Sequence, residues 1–425
     1  MGIAVLAVMA IGVALMLTRV LPTAFALGLL AVVIALLSGA SLVGKENSVT
    51  AVLQNGSALL ASTMIAVLLG SWLGTLMSET GIAATLVRKI VEFGGERPAV
   101  VALGVYAVAV LCGSITGSAP AAMLAGVVGI PAMIAVGVPP VVAGGTVLMG
   151  LATGLPVELI GWQFLSDAVD LPLEQVRAFQ LKVFPIALVV GVAYVLVEVR
   201  RRGARHAWAV RAAKAPDKRA RRGDAPWYAL VAPLLPIVLA LGFELPIVPS
   251  LLAGVVFALL TTTRPGRLGE TAMRSLYRAF DVAAPPLVLF VAIGMLLSAV
   301  RLPGAVAALD PVVSAVSPSG PVLFVVVFAL LVPLCLYRGP LNVYGLGAGI
   351  AGVLAGGGVY PVPAVLGLMS SYGQVLCVSD PTSTQTVWSA QYAGVRPEKV
   401  MASTLPYTWV MAVGVLTLTS VLFLA

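Results

Sequence analysis

Two stretches of this chain, residues 112–150 and 335–386, interrupt long apolar runs in the same way. Each begins with a cysteine and continues with small polar residues, a proline and a glycine-rich return. The second stretch also places Arg338 and Asp380 among strongly apolar residues. A lipid interior accepts neither unpaired charge nor unpaired backbone, so such stretches persist at membrane depth only inside protein or around a water-filled cavity. Their duplication predicts one site that is built from two halves of the chain.

The apolar background of these stretches extends over the whole chain. Of its 425 residues, 60% are hydrophobic and 10% are charged, and its mean hydropathy is +1.07, well beyond the values of soluble domains. Several runs approach the roughly 20 apolar residues that a spanning helix requires. The first run lacks a basic leader and a small-residue cleavage site, so we expect it to be retained as a helix. The composition predicts an all-α polytopic membrane protein.

The two halves of the chain also match outside the interrupted stretches. Residues 54–86 align without a gap with residues 277–309. Each half offers five spanning segments, one of them near 226–243, together with one re-entrant helical hairpin, and one of the five spans is a broken helix. An odd number of spans per half forces the two copies into opposite orientations, which is the inverted-repeat plan of secondary transporters. The predicted organisation is a first inverted repeat at 1–199 (hairpin 98–138, broken helix 139–172), a basic linker at 200–224 and a second inverted repeat at 225–425 (hairpin 318–360, broken helix 361–393).

Basic residues mark one side of the membrane. Ten of the 25 lysines and arginines lie within residues 200–222, together with the only histidine, His206. Under the positive-inside rule this segment is a cytoplasmic linker, either a solvated loop or a partly helical segment that touches anionic lipid. Ten further basic residues then fall on the cytoplasmic side and four on the other. We expect a multi-pass protein of the plasma (inner) membrane with both termini extracytoplasmic and with no nucleic-acid partner.

The cysteines and the histidine argue against metal chemistry. Cys112, Cys335 and Cys377 all lie in apolar stretches and form no CxxC pair, so neither a disulfide framework nor a zinc site is indicated. His206 lies in the linker, which disfavours a catalytic histidine within the membrane. We therefore expect no cofactor and a protein that is not an enzyme. The alternative from another class is an intramembrane enzyme that acts on a lipid-linked substrate.

The first hairpin tip has the composition of a helix stop followed by a helix start. Gly117 permits a sharp turn, Ser118 can cap the next helix, and Pro120 suits a first helical turn. Because the N-terminus of a helix carries unpaired N–H groups and partial positive charge, it attracts a carboxylate or a phosphate. We therefore predict a substrate-binding role for this tip, the alternative being that its small residues only allow close helix packing. The predicted binding residues here are Ser114, Thr116, Gly117 and Ser118.

The second hairpin tip carries Arg338, Gly339 and Asn342. A guanidinium is always charged and binds a carboxylate through a planar fork. Arg338 is therefore the leading candidate for recognition of an anion, with Gly339 and Asn342 beside it. The alternative role for Arg338 is an internal salt bridge with Asp380 or Glu158, because charges inside a membrane usually find a partner.

Each predicted broken helix contains one acid. Glu158 follows a Gly-Leu-Pro sequence, and Asp380 precedes Pro381, which removes a backbone donor and frees carbonyl groups to coordinate a cation. Burial favours the neutral form of a carboxyl group, so both acids are candidates for carrying a coupling proton. Oxygens near Asp380 could instead complete a sodium site, or Asp380 could simply cap the following helix. The predicted neighbours are Ser379 and Thr384 for the coupling ion and Thr382 and Ser383 for the substrate.

At these motifs the chain resembles the ion-transporter superfamily of anion permeases, most closely its gluconate- and citrate-type proton symporters. The resemblance covers nearly the whole chain and depends on residues 68–83, the hairpin at 112–129 and its repeat at 338–358. It implies a homodimer in which a scaffold domain holds a mobile transport domain that moves by an elevator-type mechanism. The chain differs at Arg338, where sodium-coupled dicarboxylate members have a Ser-Asn-Thr tip, and this difference favours protons over sodium.

These features together predict a secondary active transporter, inserted in the lipid bilayer, for a small organic anion such as a sugar acid or a di- or tricarboxylate. Protons are expected to drive it, with sodium as the alternative. An oxyanion or metalloid efflux transporter and a passive channel are the alternatives within transport. Uptake and efflux are both compatible with the sequence.

Overall fold

The structure is a computed structural model that describes residues 2–18, 20–202 and 225–425. Over these residues the chain forms helices and no strand, so the predicted all-α class is confirmed. Most of the predicted linker, at 203–224, lies outside the described residues. Many of the helices begin at a proline, whose fixed φ angle suits the first helical turn.

The helices of the first half, up to the linker, are α1 (Gly2–Leu17), α2 (Thr23–Leu37), α3 (Val49–Ala58), α4 (Ala61–Glu79), α5 (Ile82–Gly94), α6 (Pro98–Gly113), α7 (Ala119–Ala135), α8 (Pro140–Gly154), α9 (Leu159–Val169) and α10 (Leu173–Arg201). Those of the second half, after the linker, are α11 (Leu235–Gly242), α12 (Ile247–Thr262), α13 (Leu268–Val300), α14 (Pro303–Val316), α15 (Pro321–Leu330), α16 (Leu346–Gly356), α17 (Val362–Ser379), α18 (Thr384–Tyr392) and α19 (Pro397–Phe423). Short 3₁₀ turns join several of them.

Length and composition identify membrane spans within this helical set. Among the described residues, six helical segments are long and apolar enough to cross a bilayer, and shorter apolar helices surround them. The protein is therefore a multi-pass membrane protein. The six segments are Val49–Glu79, Pro140–Val157, Leu173–Arg201, Pro265–Val300, Val362–Tyr392 and Pro397–Phe423.

One predicted span differs from the structure. The segment near 226–243 is not a single helix but a 3₁₀ turn, Trp227–Val231, followed by the eight-residue helix α11. Pro233 and Pro236 lie between and within these two pieces. Each proline lacks a backbone donor and clashes with the preceding helical turn, so a continuous apolar composition does not produce a continuous helix here.

The order of elements is the same in both halves. A long helix is followed by a short helix, a helical hairpin, a broken helix and a closing long helix. In the first half these are α4, α5, α6–α7, α8–α9 and α10. In the second half they are α13, α14, α15–α16, α17–α18 and α19.

The buried apolar side chains form two clusters, and each hairpin belongs to a different one. The first apolar cluster contains the buried residues of α1, α2, α15 and α16. The second apolar cluster contains those of α5, α6 and α7. The two hairpins therefore belong to different parts of the apolar core.

The long helices pass from one cluster into the other, and this gives each a direction. Helix α10 runs from the first apolar cluster at Val183 into the second at Ala187. Its counterpart α19 runs the opposite way, from the second cluster at Met411 into the first at Ala412. The pairs α4 with α13 and α8–α9 with α17–α18 show the same reversal. The counterpart helices thus run in opposite directions, as inverted repeats require.

Candidate functional site

The first break interrupts the span formed by α8 and α9. Helix α8 ends at Gly154, a 3₁₀ turn covers Leu155–Val157, and Glu158 adopts an extended backbone with φ −79° and ψ 117° before α9 begins. Pro156 lacks the donor that a continuing helix needs at this point. The side chain of Glu158 is 5% exposed, so the break places a carboxyl group inside the protein.

The tip of the first hairpin bonds directly to this acid. The backbone N–H of Gly117, between α6 and α7, donates to Oε1 of Glu158 at 2.7 Å. A Cβ atom at position 117 would overlap Cδ2 of Leu155, so a larger residue would fit only if the Leu155 side chain moved, and glycine allows the close approach without that movement. The predicted tip and the predicted acid are therefore in contact, and the acid satisfies an N–H at the tip.

The hydroxyl groups of the first tip bond to each other and to the backbone. Ser114 donates to the carbonyl of Leu111 at 2.8 Å, and the Thr116 and Ser118 hydroxyls lie 2.7 Å apart. Ser118 stands at the N-cap position of α7, yet its side chain makes no capping hydrogen bond. The prediction that Ser118 caps α7 is therefore wrong, because its hydroxyl pairs with that of Thr116 instead.

The second break repeats the geometry of the first. Asp380, between α17 and α18, has φ −77° and ψ 111° and is 2% exposed. Its Oδ1 accepts the backbone N–H of Tyr337 at 3.1 Å, from the tip of the second hairpin. The same oxygen accepts the backbone N–H and the hydroxyl of Thr382 at 2.9 and 2.7 Å. Asp380 thus has three donors, from two different segments.

The backbone of the second tip is strained. Tyr337 and Arg338 have φ angles of 53° and 59°, in the left-handed region that costs a non-glycine residue roughly 1–2 kcal/mol. Strain of this kind persists only where the surrounding structure holds it. A Cβ atom at Gly339 would collide with the carbonyl of Leu334, so the next residue must be glycine. The tip is held in the shape that directs the N–H of Tyr337 at Asp380.

The side chain of Arg338 bonds to neither acid. It is exposed, and Nη1 donates to the hydroxyl of Thr23, the first residue of α2, at 2.8 Å. Among the ion pairs of the described residues, none joins Arg338 to Asp380 or Glu158. The internal salt bridge considered for Arg338 is therefore not formed. Asn342 is also used within its own loop, where its Oδ1 accepts the N–H of Tyr344 at 3.0 Å.

The remaining polar residues of the second break each bond to nearby protein groups. Ser379 lies 3.0 and 2.8 Å from the hydroxyls of Thr404 and Thr408 on α19. Ser383 caps α18, because its hydroxyl accepts the N–H of Thr386, so the alternative that Asp380 caps this helix is wrong. The Thr384 hydroxyl donates to Gln385 at 3.3 Å.

A cavity opens beside the first break. Its volume is about 30 Å³, room for one or two water molecules, so the cavity must widen to admit a ligand. Of the residues predicted for the site, Glu158 lies in its wall, whereas the predicted tip residues and the residues around Asp380 do not. The wall comes from the first break with α9, from α10, from the return of the second hairpin and from α17. It is formed by Leu155, Glu158, Gly161, Phe164, Leu165, Gln180, Val343, Tyr344, Met369, Ser370, Gly373 and Gln374.

Two glutamines in this wall were missed by the sequence analysis. Gln180 on α10 and Gln374 on α17 are 4% and 2% exposed. Oε1 of each is buried and has no hydrogen-bond partner among the described residues. The signal that could have found them is a lone amide within an apolar helix, because a polar side chain at membrane depth usually faces the interior of the helix bundle.

The cavity also has an aromatic side and a helix end. Phe164 and Tyr344 stack with ring centroids 5.2 Å apart, and Phe290 packs against Phe164 at 5.3 Å. Helix α9 begins at this wall without a side-chain cap, so the positive end of its dipole lies beside Glu158 and Gly161. The cavity therefore combines an acid, two amides, an apolar ring surface and the N-terminus of a helix.

Metal-binding clusters are not found in the part of the chain that the structure describes, where no three His, Cys, Asp or Glu side chains come together. The three cysteines are buried and free. The chemistry available at the site is thus that of carboxyl groups, amides, hydroxyls and backbone N–H groups.

Comparison with known proteins bears on the fold. No protein-family model and no curated protein matches this sequence. Among solved structures, MtrF of Neisseria gonorrhoeae, presented as illuminating a class of antimetabolite efflux pumps, matches with a TM-score of 0.55 at 14% identity over 95% of each chain. The YdaH transporter of Alcanivorax borkumensis, noted for an unusual topology, matches with a TM-score of 0.54 at 15% identity over 84% of each chain. The chain therefore has a fold found in these membrane transporters.

Proposed function

We propose that this protein is a secondary active transporter that couples the movement of a small organic anion to protons. One observation carries the proposal: the buried acid Glu158 lies in the wall of the cavity and at the same time accepts the N–H of the Gly117 hairpin tip. A carboxyl group in this position contacts both the cavity, where we place the substrate, and the tip of the first hairpin. The fold shared with known transporters supports the same function.

Protonation of Glu158 would link binding of the anion to release of the first hairpin tip. The ionised carboxylate bonds strongly to the Gly117 N–H, because a hydrogen bond to a charged acceptor is roughly twice as strong as a neutral one. It would also repel a second negative charge in the cavity. The neutral acid weakens its hold on the tip and removes this repulsion, leaving the positive end of α9 to attract the anion. Anion and proton would therefore bind together.

Asp380 has a different role in this proposal. Its carboxylate accepts three hydrogen bonds, one of them from the backbone N–H of Tyr337 at the second hairpin tip. We assign it the task of holding the second hairpin tip. Protons are preferred over sodium in this proposal because Arg338 stands where the sodium-coupled members that the chain resembles have a Ser-Asn-Thr tip.

An elevator-type movement in a homodimer is the mechanism that we propose with this function, following the family resemblance. The contact from Arg338 to Thr23 joins the second hairpin tip to α2. If the hairpins and broken helices move as one body, this contact is one that the movement must break. Arg338 then acts at the boundary between the mobile and the static part, in addition to any role in attracting anions.

Efflux is the second candidate for the direction of transport. It is favoured by the likeness to MtrF, which illuminates a class of antimetabolite efflux pumps. Metalloid oxyanions are the alternative cargo. Uptake and efflux differ in which side of the membrane must be acidic for substrate to accumulate.

The test uses purified protein and proteoliposomes. Thermal stability is first measured with gluconate, citrate, malate, lactate and arsenite at two pH values, because a ligand that binds the native state raises its stability. The stabilising ligand is then followed into vesicles under an imposed pH gradient of either sign. We expect accumulation that requires the gradient and that reverses with it. Flux that ignores pH and sodium gradients would indicate a channel, and chemical turnover in detergent would indicate an enzyme.

A further inference from the structure

We infer that the cavity selects anions that carry hydroxyl groups, and that Gln180 and Gln374 are the residues that make this selection. The inference rests on the proposed function and names the substrate class of the same site. It starts from the two amide oxygens that are buried without a partner among the described residues and that belong to side chains of the cavity wall.

The orientation of Gln180 follows from its neighbour. Ser370 has one hydroxyl proton, and it donates this proton to the carbonyl of Leu366 at 2.8 Å. Ser370 can therefore only accept from Gln180, whose Nε2 lies 2.9 Å away. The amine of Gln180 must face Ser370, because the reverse orientation would bring two acceptors together. Oε1 of Gln180 is thus an acceptor that is available to a donor in the cavity, from water or from a ligand.

Buried acceptors of this kind discriminate between ligands. Water satisfies such oxygens while a polar cavity is hydrated, but a ligand that displaces the water must supply O–H or N–H donors in its place. A site built to bond a substrate hydroxyl rejects the analogue that lacks it, because the polar groups of the site are then left unpaired. An analogue without hydroxyl groups would leave both Gln180 and Gln374 unpaired. We therefore expect the hydroxylated ligand to bind more tightly than this analogue by a factor on the order of 100 or more.

The rest of the wall fits the same class of ligand. The uncapped N-terminus of α9 suits a carboxylate, and Glu158 in its neutral form adds a donor of its own. The stacked rings of Phe164 and Tyr344 offer an apolar surface for a short carbon chain. A hydroxy acid or sugar acid would meet each of these features, whereas an unsubstituted mono- or dicarboxylate would leave both amide oxygens unpaired.

Matched ligand pairs test the inference directly. We would titrate the purified protein, at a pH low enough for binding, with gluconate against hexanoate and with malate or tartrate against succinate, and read apparent affinities from thermal stabilisation. The members of each pair share a chain length and differ in hydroxyl groups. We expect the hydroxylated member of at least one pair to bind roughly 100-fold more tightly.

Variants then assign the effect to the glutamines. Gln180→Met and Gln374→Met keep the length of the side chain and remove the amide, so each should weaken the hydroxylated ligand and bring the affinity ratio of the pair at least tenfold closer to one. Gln175→Met, at an exposed position on the same helix as Gln180, is the control and should leave the ratio unchanged. Thermal stability without ligand shows whether each variant is folded. If one does not fold, Gln→Asn at that position keeps a shorter, uncharged amide and should retain a preference for the hydroxylated ligand.

The outcomes separate the inference from the proposed function. Equal binding of both members of every pair, or an unchanged ratio in folded glutamine variants, would overturn the inference and leave the transporter proposal standing. Binding of no carboxylate at either pH, together with flux of some other class of solute, would overturn both. A large ratio that shrinks in the glutamine variants alone supports both.

Discussion

The two breaks, at Glu158 and Asp380, share a backbone geometry but differ in how completely they are bonded. Their φ and ψ angles agree within 6°, and each carboxylate accepts an N–H from its own hairpin tip. Asp380 has two further donors from Thr382, and the helix after it is capped by Ser383. The helix after Glu158 has no side-chain cap, and Glu158 lies in the wall of the cavity.

This difference shows what the duplication preserves and what it leaves free to diverge. The backbone path of a break is fixed by proline, by extended φ and ψ angles and by the approach of the hairpin tip, so both copies retain it. The side chains around it determine whether the break is closed or open to a ligand. We interpret the fully bonded second break as a support for its hairpin and the partly bonded first break as the place where protonation changes the structure.

The largest effect is expected from removing the charge at the first break. Glu158→Gln keeps an oxygen for the Gly117 N–H but cannot exchange a proton, so substrate accumulation driven by a pH gradient should fall to background while substrate exchange persists. Both are measured in proteoliposomes with the ligand found by thermal stabilisation. Wild-type accumulation should rise as the substrate side becomes more acidic, because the neutral acid is the form that admits the anion.

Asp380→Asn is the matched comparison for coupling. It removes a charge from the second break and should leave accumulation dependent on the pH gradient in the same direction as in the wild type. Loss of pH-driven accumulation in Asp380→Asn, together with its survival in Glu158→Gln, would reverse the assignment of the two breaks.

The next largest effect is expected at the cavity wall. Gly373 on α17 lies in the lining, and a Cβ atom there would meet no atom within 4 Å. Gly373→Leu should therefore place its Cβ without a clash, occupy the cavity with the rest of its side chain and weaken ligand binding at least tenfold, and thermal stability without ligand shows whether the variant is folded. Gly28→Leu on α2 is the control, because position 28 is equally open and lies outside the lining. Equal ligand affinity in the two variants would place the substrate elsewhere.

For the free energy of unfolding, the larger effect is expected at the second break, whereas for coupling it is expected at the first. Asp380→Asn removes the charge from an acceptor of three hydrogen bonds, and bonds to charged groups contribute about 1.5–3 kcal/mol. Glu158→Gln affects a single such bond. We therefore expect Asp380→Asn to lower the free energy of unfolding in detergent by about 2 kcal/mol more than Glu158→Gln does. A smaller loss for Asp380→Asn would mean that the second break is no better supported than the first.

The hairpins and breaks could be predicted from sequence because glycine and proline act locally. Gly117, Pro156 and Pro381 alter backbone geometry wherever they stand, and their repetition in two halves signals a shared plan. Pro233 and Pro236 also interrupt the helix locally, yet the uniformly apolar composition of residues 226–243 led to the prediction of one continuous span there. Hydropathy identifies a span more reliably than it identifies a continuous helix.

The cavity itself could not be predicted from sequence because its wall is assembled from distant segments. Gln180 and Gln374 are almost 200 positions apart, and neither belongs to a repeated motif. The direction of Arg338 was equally hidden, because its partner Thr23 lies 315 positions away. Charge type and spacing indicated that Arg338 is important but not which residue it contacts.

The smallest predicted effect concerns the backbone strain of the second tip, a strain that the first tip lacks. Arg338 has a φ angle of 59°, a conformation that glycine adopts without the cost of roughly 1–2 kcal/mol that a Cβ atom imposes. Arg338→Gly should therefore be up to about 1 kcal/mol more stable than Arg338→Ala, since both lose the bond to Thr23 and the relief of this strain outweighs the greater conformational freedom of glycine in the unfolded chain. Unfolding of the two variants in detergent provides the comparison, and equal stability would indicate that the tip relaxes once the arginine is gone.

Ligand titration of the same two variants also tests whether Arg338 recognises the anion. Because its side chain bonds to Thr23 and lies outside the cavity lining, both variants should bind ligand within a few-fold of the wild type, although transport rates can change when the contact to α2 is lost. A loss of affinity that is equal in the glycine and alanine variants would have to come from the guanidinium itself, because the two differ in backbone strain and share only its absence. That result would extend the binding site from the first break to the second tip, and both halves of the duplication would then contribute to substrate recognition.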